Sequence, residues 1–283
     1  MAETAFQTQY RQEFIRGFEV RQSLLRDTTT TEAVIKGNQA VFLVADSGAA
    51  SAVTRGVNGL IPARGDNLNQ NTCTLSEQHD LVRKTGFNVF ASQGNQRAIM
   101  QETTMSVLNR KIDDQILTEL ATATNDNGAA TTASLAFVMR AKTILGNNKV
   151  PWDGGIFAVV TPAFEAYLMQ TSEFASADYV DMKPLPGADA AWSDRQKAFR
   201  WAGVTWITHP GLSGVGTAAE ICFMYHKTAI GHAADTAGLQ TPVGYDEEQD
   251  YSWARATCYM GAKLLQNSGV VVMTHDGSAY VAT

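Results

Sequence analysis

Residues 105–120 read MSVLNRKIDDQILTEL, and this stretch decides the fold class. Its apolar side chains recur at helical spacing and form one stripe, made of Met105, Leu108, Ile112, Ile116 and Leu120. The pattern extends backwards and predicts a helix over residues 96–124, stopped by Asn125-Asp126-Asn127-Gly128. At 1.5 Å per residue such a helix would be roughly 42 Å long, more than twice the usual length. A helix of this length acts as a strut.

Two strands are predicted before this helix, over residues 33–45 and 81–91. The roughly 35 residues between them have many turn dipeptides and few large apolar side chains, which is unusual inside a compact domain. An isolated two-stranded ribbon is barely stable alone. We therefore expect an extended hairpin that lies on a partner.

A second amphipathic helix is predicted at residues 4–20. Its aromatic side chains, Phe6, Tyr10, Phe14 and Phe18, recur every four residues. A lone helix of this length is marginal in water, so the stripe must pack on something. Either the chain's own core or a neighbouring subunit could provide that surface.

The region after the long helix mixes helices and short strands. Thr132 is predicted to cap a helix that ends at residues 146–148, and Thr161 with Pro162 to begin another after a strand at 156–160. Residues 172–198 are loop-rich. Further strands are predicted over residues 199–208, 219–230, 251–265 and 270–273. The order of elements indicates an α+β chain.

Composition narrows the possible functions. The net charge of −6 does not imply a nucleic-acid-binding surface. Three well-separated cysteines, Cys73, Cys222 and Cys258, favour buried free thiols over disulfides or a zinc ribbon. Residues 1–10 predict no signal peptide, and no apolar run is long enough to span a membrane.

The search for catalytic or cofactor motifs gives one weak candidate. Residues 214–219, GVGTAA, match a dinucleotide-binding pattern, but a strand is predicted after them where the motif needs a helix. The five histidines have no metal-ligand spacing, and His226 and His232 are expected to be satisfied, half-buried side chains. The acidic run at 246–250 is typical of a solvated turn. Asp113 and Asp114 are expected to belong to the charged face of the long helix. We predict no catalytic residue, no cofactor and no metal.

Several blocks resemble the phage major capsid proteins of the Hong Kong 97 fold. They are residues 21–27 (RQSLLRD), 54–63 (TRGVNGLIPA), 80–87 (DLVRKTGF), 95–97 (NQR) and 109–114 (NRKIDD). The order of elements agrees along nearly the whole chain. We expect scaffolding to come from a separate or cleaved protein and not from a coiled coil before the N-terminal helix, and nothing in the residues assigns the Lys–Asn crosslink that some relatives make.

The resemblance implies a domain plan. It comprises an N-terminal arm (1–32), an extended loop with flanking strands (33–92), a peripheral domain with the spine helix (93–128), an axial domain (129–245), and strands returning to the peripheral domain with the C-terminus (246–283). It also implies hexamers and pentamers that close into an icosahedral shell around double-stranded DNA. The expected partners are other copies, a separate scaffolding protein and a portal, with weak non-specific contact to DNA and no membrane. Assembly is expected in the host cytoplasm.

The expected inter-subunit contacts combine aromatic and basic residues. They are Phe6, Tyr10, Phe14 and Phe18 of the arm together with Arg55, Arg64, Arg83 and Lys84, which would pair with acidic surface such as residues 246–250. The alternatives are another virion protein, from the decoration or the tail, and an α/β nucleotide-binding enzyme that uses residues 214–219.

Overall fold

The computed structural model describes residues 22–31, 34–47, 50–65, 67–91, 96–175, 198–235 and 241–280. The helix expected at residues 4–20 lies outside these ranges. So does most of the loop-rich segment 172–198, of which the first residues form a short helix at Ser172–Ala175.

Helices and strands alternate irregularly along the described chain. The helices are α1 (Gly86–Ala91), α2 (Gln96–Leu120), α3 (Leu135–Asn147), α4 (Pro162–Met169) and α5 (Ser172–Ala175). The strands are β1 (Val34–Lys36), β2 (Gln39–Asp46), β3 (Asn67–Thr74), β4 (Ser76–Thr85), β5 (Ile156–Val160), β6 (Ala198–Trp201), β7 (Val204–Thr208), β8 (Glu220–His226), β9 (Ile230–Ala234), β10 (Val243–Asp246), β11 (Tyr251–Leu264) and β12 (Val270–His275).

The chain forms two compact units. Unit 1 contains Ser76–Asp113 and Ala234–Met260, and unit 2 contains Leu24–Leu75, Asp114–Ala233 and Gly261–Thr283. The hairpin strands and β12 therefore belong to unit 2. The helix α2 and the strand β11 have residues in both units.

Unit 2 holds a five-stranded sheet in the order β12-β8-β5-β7-β6. Only β5 and β7 run parallel, and the other neighbours are antiparallel. The strands β5 and β8 are buried almost throughout, which explains their continuous apolar sequences. Phe164 of α4 stacks on Trp206 of β7 with ring centroids 6.1 Å apart. Aromatic side chains thus contribute to the core of this unit between sheet and helix.

Unit 1 holds an antiparallel sheet in the order β10-β11-β4. Ten residue pairs join β11 to β4, from Tyr251 opposite Thr85 to Met260 opposite Ser76. Ala254, Ala256, Cys258 and Met260 are buried, whereas Arg255 and Tyr259 are exposed. The predicted two-faced strand at 251–265 is confirmed.

The strut helix is confirmed, but it ends at Leu120, four residues before the predicted end. Its stripe is buried at Leu108, Ile112, Ile116 and Leu120. The strand predicted over residues 81–91 is wrong beyond Thr85, because the chain turns into α1 at Gly86. The N–H of Gly86 bonds the carbonyl of Asp250, where β11 begins, so β4 has no partner strand beyond this point.

Three predicted single strands are interrupted. Residues 33–45 form β1 and β2, which turn at Gly37 with φ 64°. Residues 199–208 form β6 and β7, which turn at Ala202 and Gly203 with φ of 54° and 77°. Residues 219–230 break at a 3₁₀ turn, Lys227–Ala229, before β9. Positive φ is easy for glycine, so the two glycines permit the first two turns.

Of the two predicted helix caps, one is present and one is not. Thr161 caps α4 by accepting the Phe164 N–H, as predicted. The cap predicted at Thr132 is wrong, because Ser134 accepts the Phe137 N–H and begins α3 at Leu135. Both residue types serve as caps, and only the fold decides between positions two apart.

All three cysteines are free and buried, as predicted. Burial raises the pKa of Cys222 to about 12 and also raises that of Cys73. The Cys73 thiol lies 3.3 Å from the Ala262 carbonyl, to which it donates. These thiols therefore contribute to packing.

Candidate assembly surface

The strands β2 and β3 form a long hairpin. They pair antiparallel from Gln39 opposite Thr74 at the root to Asp46 opposite Asn67. The extended hairpin predicted between residues 33 and 92 is therefore present. The strand β4 that follows β3 pairs with β11 instead of returning to the hairpin.

The root of the hairpin is buried in unit 2. Phe42 is 2% exposed and lies with Ala40, Cys73 and Ala233 in a small apolar cluster. Its ring lies so close to Gly231 that a Cβ atom there would be 2.7 Å from the ring. Because Gly231 has no side chain, the Phe42 ring can pack against it, and the root of the hairpin can be buried.

The loop at the tip, residues 50–65, is exposed throughout. It nevertheless carries large apolar side chains, with exposed fractions of 73% at Leu60 and 63% at Ile61 and full exposure at Val57. A tight turn orders the loop, since Gly56 donates to the Leu60 carbonyl at 2.9 Å and Gly59 has φ 73°. The apolar side chains are therefore presented to solvent by an ordered turn.

The predicted basic contacts fall in two places. Arg55 and Arg64 lie exposed in the hairpin loop, where the Arg64 guanidinium donates to the Ser47 carbonyl at 3.3 Å. Arg83 and Lys84 lie on β4 in unit 1. The arm residues Phe6, Tyr10, Phe14 and Phe18 lie outside the described residues.

Arg83 already has partners in its own chain. Its guanidinium lies 5.0 Å from the centre of the Tyr251 ring, and its charge helps to lower the pKa of Asp246. The main cause of that lowering is the backbone N–H of Gln249, which donates to the Asp246 carboxylate at 3.1 Å. Arg83 therefore stabilises the acidic turn of the same subunit.

The acidic run at 246–250 is a closed turn with exposed side chains. Asp246 accepts the N–H groups of Glu248 and Gln249, and Asp250 accepts the Tyr245 hydroxyl. The latter bond raises the pKa of Tyr245. The carboxylates of Asp246 and Asp250 are therefore occupied by local bonds, as expected of a solvated turn. In the described parts of the chain no three His, Cys, Asp or Glu side chains lie close enough to hold a metal ion.

The glycine-rich segment 214–219 lies in a loop between β7 and β8, as its sequence context predicted. A strand follows it in place of the helix that a dinucleotide motif requires. The buried carboxylate of Glu220 accepts the Gly216 N–H at 2.7 Å and the Thr161 hydroxyl. The Gly216 N–H is thus already bound within the chain, where a nucleotide phosphate would need free backbone N–H donors.

His226 is satisfied, as predicted, but it is buried and not half-buried. Its Nε2 lies 2.9 Å from the Asp153 carboxylate, and its Nδ1 accepts the Thr228 N–H. This arrangement holds the loop before β5 to the end of β8. Across the described residues no helix is both long and apolar enough to cross a membrane.

Sequence reasoning missed two parts of this surface. It named the arginines of the hairpin loop but not Val57, Leu60 and Ile61, although apolar side chains in a glycine-rich loop are themselves a signal. It also missed the packing of Phe42 against Gly231, because nothing local in the sequence connects the two residues.

Comparison with known proteins identifies the fold and the family. The structure is similar to solved capsid structures of Ralstonia phage GP4 (TM-score 0.70, 10% identity, covering 99% of this chain and 98% of that one) and of cyanophage P-SCSP1u (TM-score 0.70, 11% identity, covering 96% and 93%). It is also similar to a structure from Mycobacterium phage Che8 (TM-score 0.73, 16% identity, covering 96% and 98%). These similarities show the Hong Kong 97-type capsid fold.

Comparison of the sequence with family models, made independently of the structure, leads to the same family. A search of curated proteins finds no match. A family model described as phage capsid protein matches residues 2–277, nearly the whole chain. The chain therefore belongs to the phage capsid protein family and is a structural subunit of the virion shell.

Proposed function

We propose that this capsid subunit assembles as hexamers and pentamers into an icosahedral shell around double-stranded DNA, and that the hairpin loop is a main contact to the neighbouring subunit. One observation carries the proposal. Val57, Leu60 and Ile61 are exposed at the tip of a hairpin whose root is buried. Burying such a side chain stabilises by about 1.5–3 kcal/mol, and a shell repeats the gain in every subunit.

Charged residues are proposed to set the register of these contacts. Arg55 and Arg64 would meet acidic surface on the neighbour, such as residues 246–250. Exposed ion pairs contribute only about 0–1 kcal/mol each, so they would align subunits and keep assembly reversible. Arg83 and Lys84 are proposed to act in the same contact, Arg83 chiefly by bracing the acidic turn.

We assign the remaining parts on the same basis. Residues 1–32 are the arm, 33–92 the extended loop, 93–128 the peripheral domain, 129–245 the axial domain and 246–283 the returning strands with the C-terminus. The pairing of β12 with β8 supports one change to this plan: residues 270–275 are proposed to belong to the axial sheet and not to the returning strands. Scaffolding protein and portal are proposed as separate partners, with assembly in the host cytoplasm.

Neither enzymatic activity nor tight DNA binding is part of the proposal. The buried Glu220 carboxylate beside Gly216 disfavours a phosphate in the loop 214–219. A subunit of net charge −6 suits an inner wall that holds packaged DNA only weakly. A decoration or tail role is the second candidate, and it would give decorated surfaces, rings or tubes instead of closed shells.

Deleting residues 1–20 is expected to prevent shell closure and leave the subunit folded. The aromatic stripe of Phe6, Tyr10, Phe14 and Phe18 is proposed to bind a neighbour, so its loss removes assembly energy and little folding energy. Electron microscopy and circular dichroism of the truncated and full-length chains measure the two effects separately. If the truncated chain closed shells as efficiently as the full chain, the arm's role would be wrong.

A further inference from the structure

Asn58 is followed by Gly59 in the loop at the tip of the hairpin, and both residues are exposed. The sequence contains one other Asn-Gly pair, Asn127-Gly128. Asparagine is a chemically labile residue, and the glycine after it leaves its own backbone nitrogen unshielded because it has no Cβ atom. That nitrogen can attack the carbonyl carbon of the asparagine side chain. The structure decides which of the two pairs is free to react.

The surroundings of Asn58 leave room for this attack. The Gly59 N–H donates to the Gly56 carbonyl at 2.9 Å within an exposed turn, and Gly59 has φ 73°. A Cβ atom placed on Gly59 would have no heavy atom of the described chain within 4 Å, apart from those of adjacent residues. Exposed turns open at a small cost in free energy. Opening this turn frees the Gly59 nitrogen and leaves the Asn58 amide in water.

The second pair is buried and hydrogen-bonded. Asn127 is 1% exposed, and its side-chain amide donates to the Phe137 carbonyl at 2.9 Å. The Gly128 N–H donates to the Asp126 carboxylate at 2.8 Å, and a Cβ atom on Gly128 would lie 3.1 Å from the Arg140 guanidinium. The same reaction at Asn127 therefore requires part of the fold to open. This pair is an internal control within the same chain.

We propose that Asn58 is a site of self-modification in the free subunit, where the Gly59 nitrogen converts the Asn58 amide into a carboxylate through a cyclic imide. The Gly59 nitrogen forms a bond to Cγ of Asn58, and the bond between Cγ and Nδ2 breaks. The proton of the Gly59 nitrogen leaves with Nδ2 as ammonia. Water then opens the imide at either of its carbonyl carbons, which gives aspartate or isoaspartate. The net reaction consumes water and releases ammonia, with no oxidant or reductant.

The modification places a negative charge among the apolar side chains of the tip. Val57 precedes Asn58, while Leu60 and Ile61 follow Gly59, and all three are exposed. An interface that covered them would have to desolvate the new carboxylate. The consequence for assembly rests on the proposed function of the hairpin loop as an inter-subunit contact. Free subunits lose assembly competence with time, whereas a neighbour that covers the tip protects Asn58.

Chromatographic peptide mapping with mass spectrometry, on free full-length subunits incubated at neutral and mildly alkaline pH, tests the modification by itself. Asn58 should convert at least about tenfold faster than Asn127, since the buried pair reacts only when the fold opens. Its rate should rise with pH, because the attacking nitrogen must lose its proton. The product should contain both aspartate and isoaspartate. Equal rates at the two sites, or aspartate alone, would overturn the proposal.

The effect on assembly is measured with fresh and incubated subunits of the wild type and of Asn58→Gln. Glutamine keeps an uncharged amide, but its longer side chain forms the corresponding ring far more slowly. Converted wild-type subunits should assemble at least about tenfold more slowly than fresh ones, because the new carboxylate opposes burial of the tip. The Asn58→Gln subunits should keep their assembly rate through the same incubation. An equal loss in both chains would show that this modification does not control assembly.

The outcomes separate this inference from the proposed function. If Asn58 converts in free subunits and equally fast in closed shells, no neighbour covers the tip, and the proposed contact of the hairpin loop is wrong. If fresh subunits form no closed assembly under any condition, the proposed function fails, whereas the modification is still decided by the peptide maps of the free subunit.

Discussion

Replacing Leu60 and Ile61 together by aspartate is expected to abolish shell assembly and leave the subunit folded. Both side chains are mostly exposed in the single chain, so their replacement removes little folding energy. In a shell each would be buried, and the pair contributes about 3–6 kcal/mol per subunit at roughly 1.5–3 kcal/mol per side chain. The variant also places two carboxylates in an interface that would have to desolvate them.

Sedimentation of the variant at high concentration measures assembly, and a thermal melt measures folding. Val215→Asp is the matched control, because Val215 is an exposed apolar residue of a different loop, the one between β7 and β8. We expect the control to assemble. Shells formed by the double variant at wild-type efficiency would show that the tip is not a main contact.

Phe42→Ala is expected to lower the free energy of unfolding of the subunit by about 3–5 kcal/mol. The Phe42 ring is buried at the root of the hairpin, where it packs against Gly231 and the small cluster around Cys73. Removing it leaves a cavity between the hairpin and β9. We expect the hairpin to lose its fixed direction, and assembly to fail as a consequence.

Chemical denaturation of the free subunit measures this change in the free energy of unfolding directly. Phe87→Ala is the control, since Phe87 of α1 is 74% exposed, and it should change stability by no more than about 0.5 kcal/mol. A similar loss for both variants would mean that the root does not hold the hairpin as described.

The sequence correctly predicted the helices and strands that are determined by residues close together in the chain. The stripe from Leu108 to Leu120 predicted α2, and Thr161 with Pro162 predicted the start of α4. The alternation along residues 251–265 predicted a strand with one buried face. Each of these depends on residues within a few positions of one another, which is the range over which periodicity and capping act.

Elements whose limits are set by distant partners could not be predicted in the same way. The strand β4 ends at Thr85 because its partner β11 begins at Tyr251. The alternation of Phe87 and Val89 resembles a strand only while that partner is ignored. The positions of the interrupted strands likewise depended on backbone turns that the apolar pattern does not record.

The candidate assembly surface was predicted in outline only. The composition of residues 46–80 indicated a hairpin on a partner, and this hairpin is present. Arg83 was predicted as an inter-subunit contact, and its guanidinium lies over the ring of Tyr251 on the adjacent strand, a contact that only the register reveals.

The measurement that tests the central claim most directly is electron microscopy of the purified full-length chain, alone and with its scaffolding partner, combined with a particle mass measurement. The account predicts closed shells, or free hexamers and pentamers, under at least one of these conditions. A strict monomer at high concentration with the partner present would contradict it.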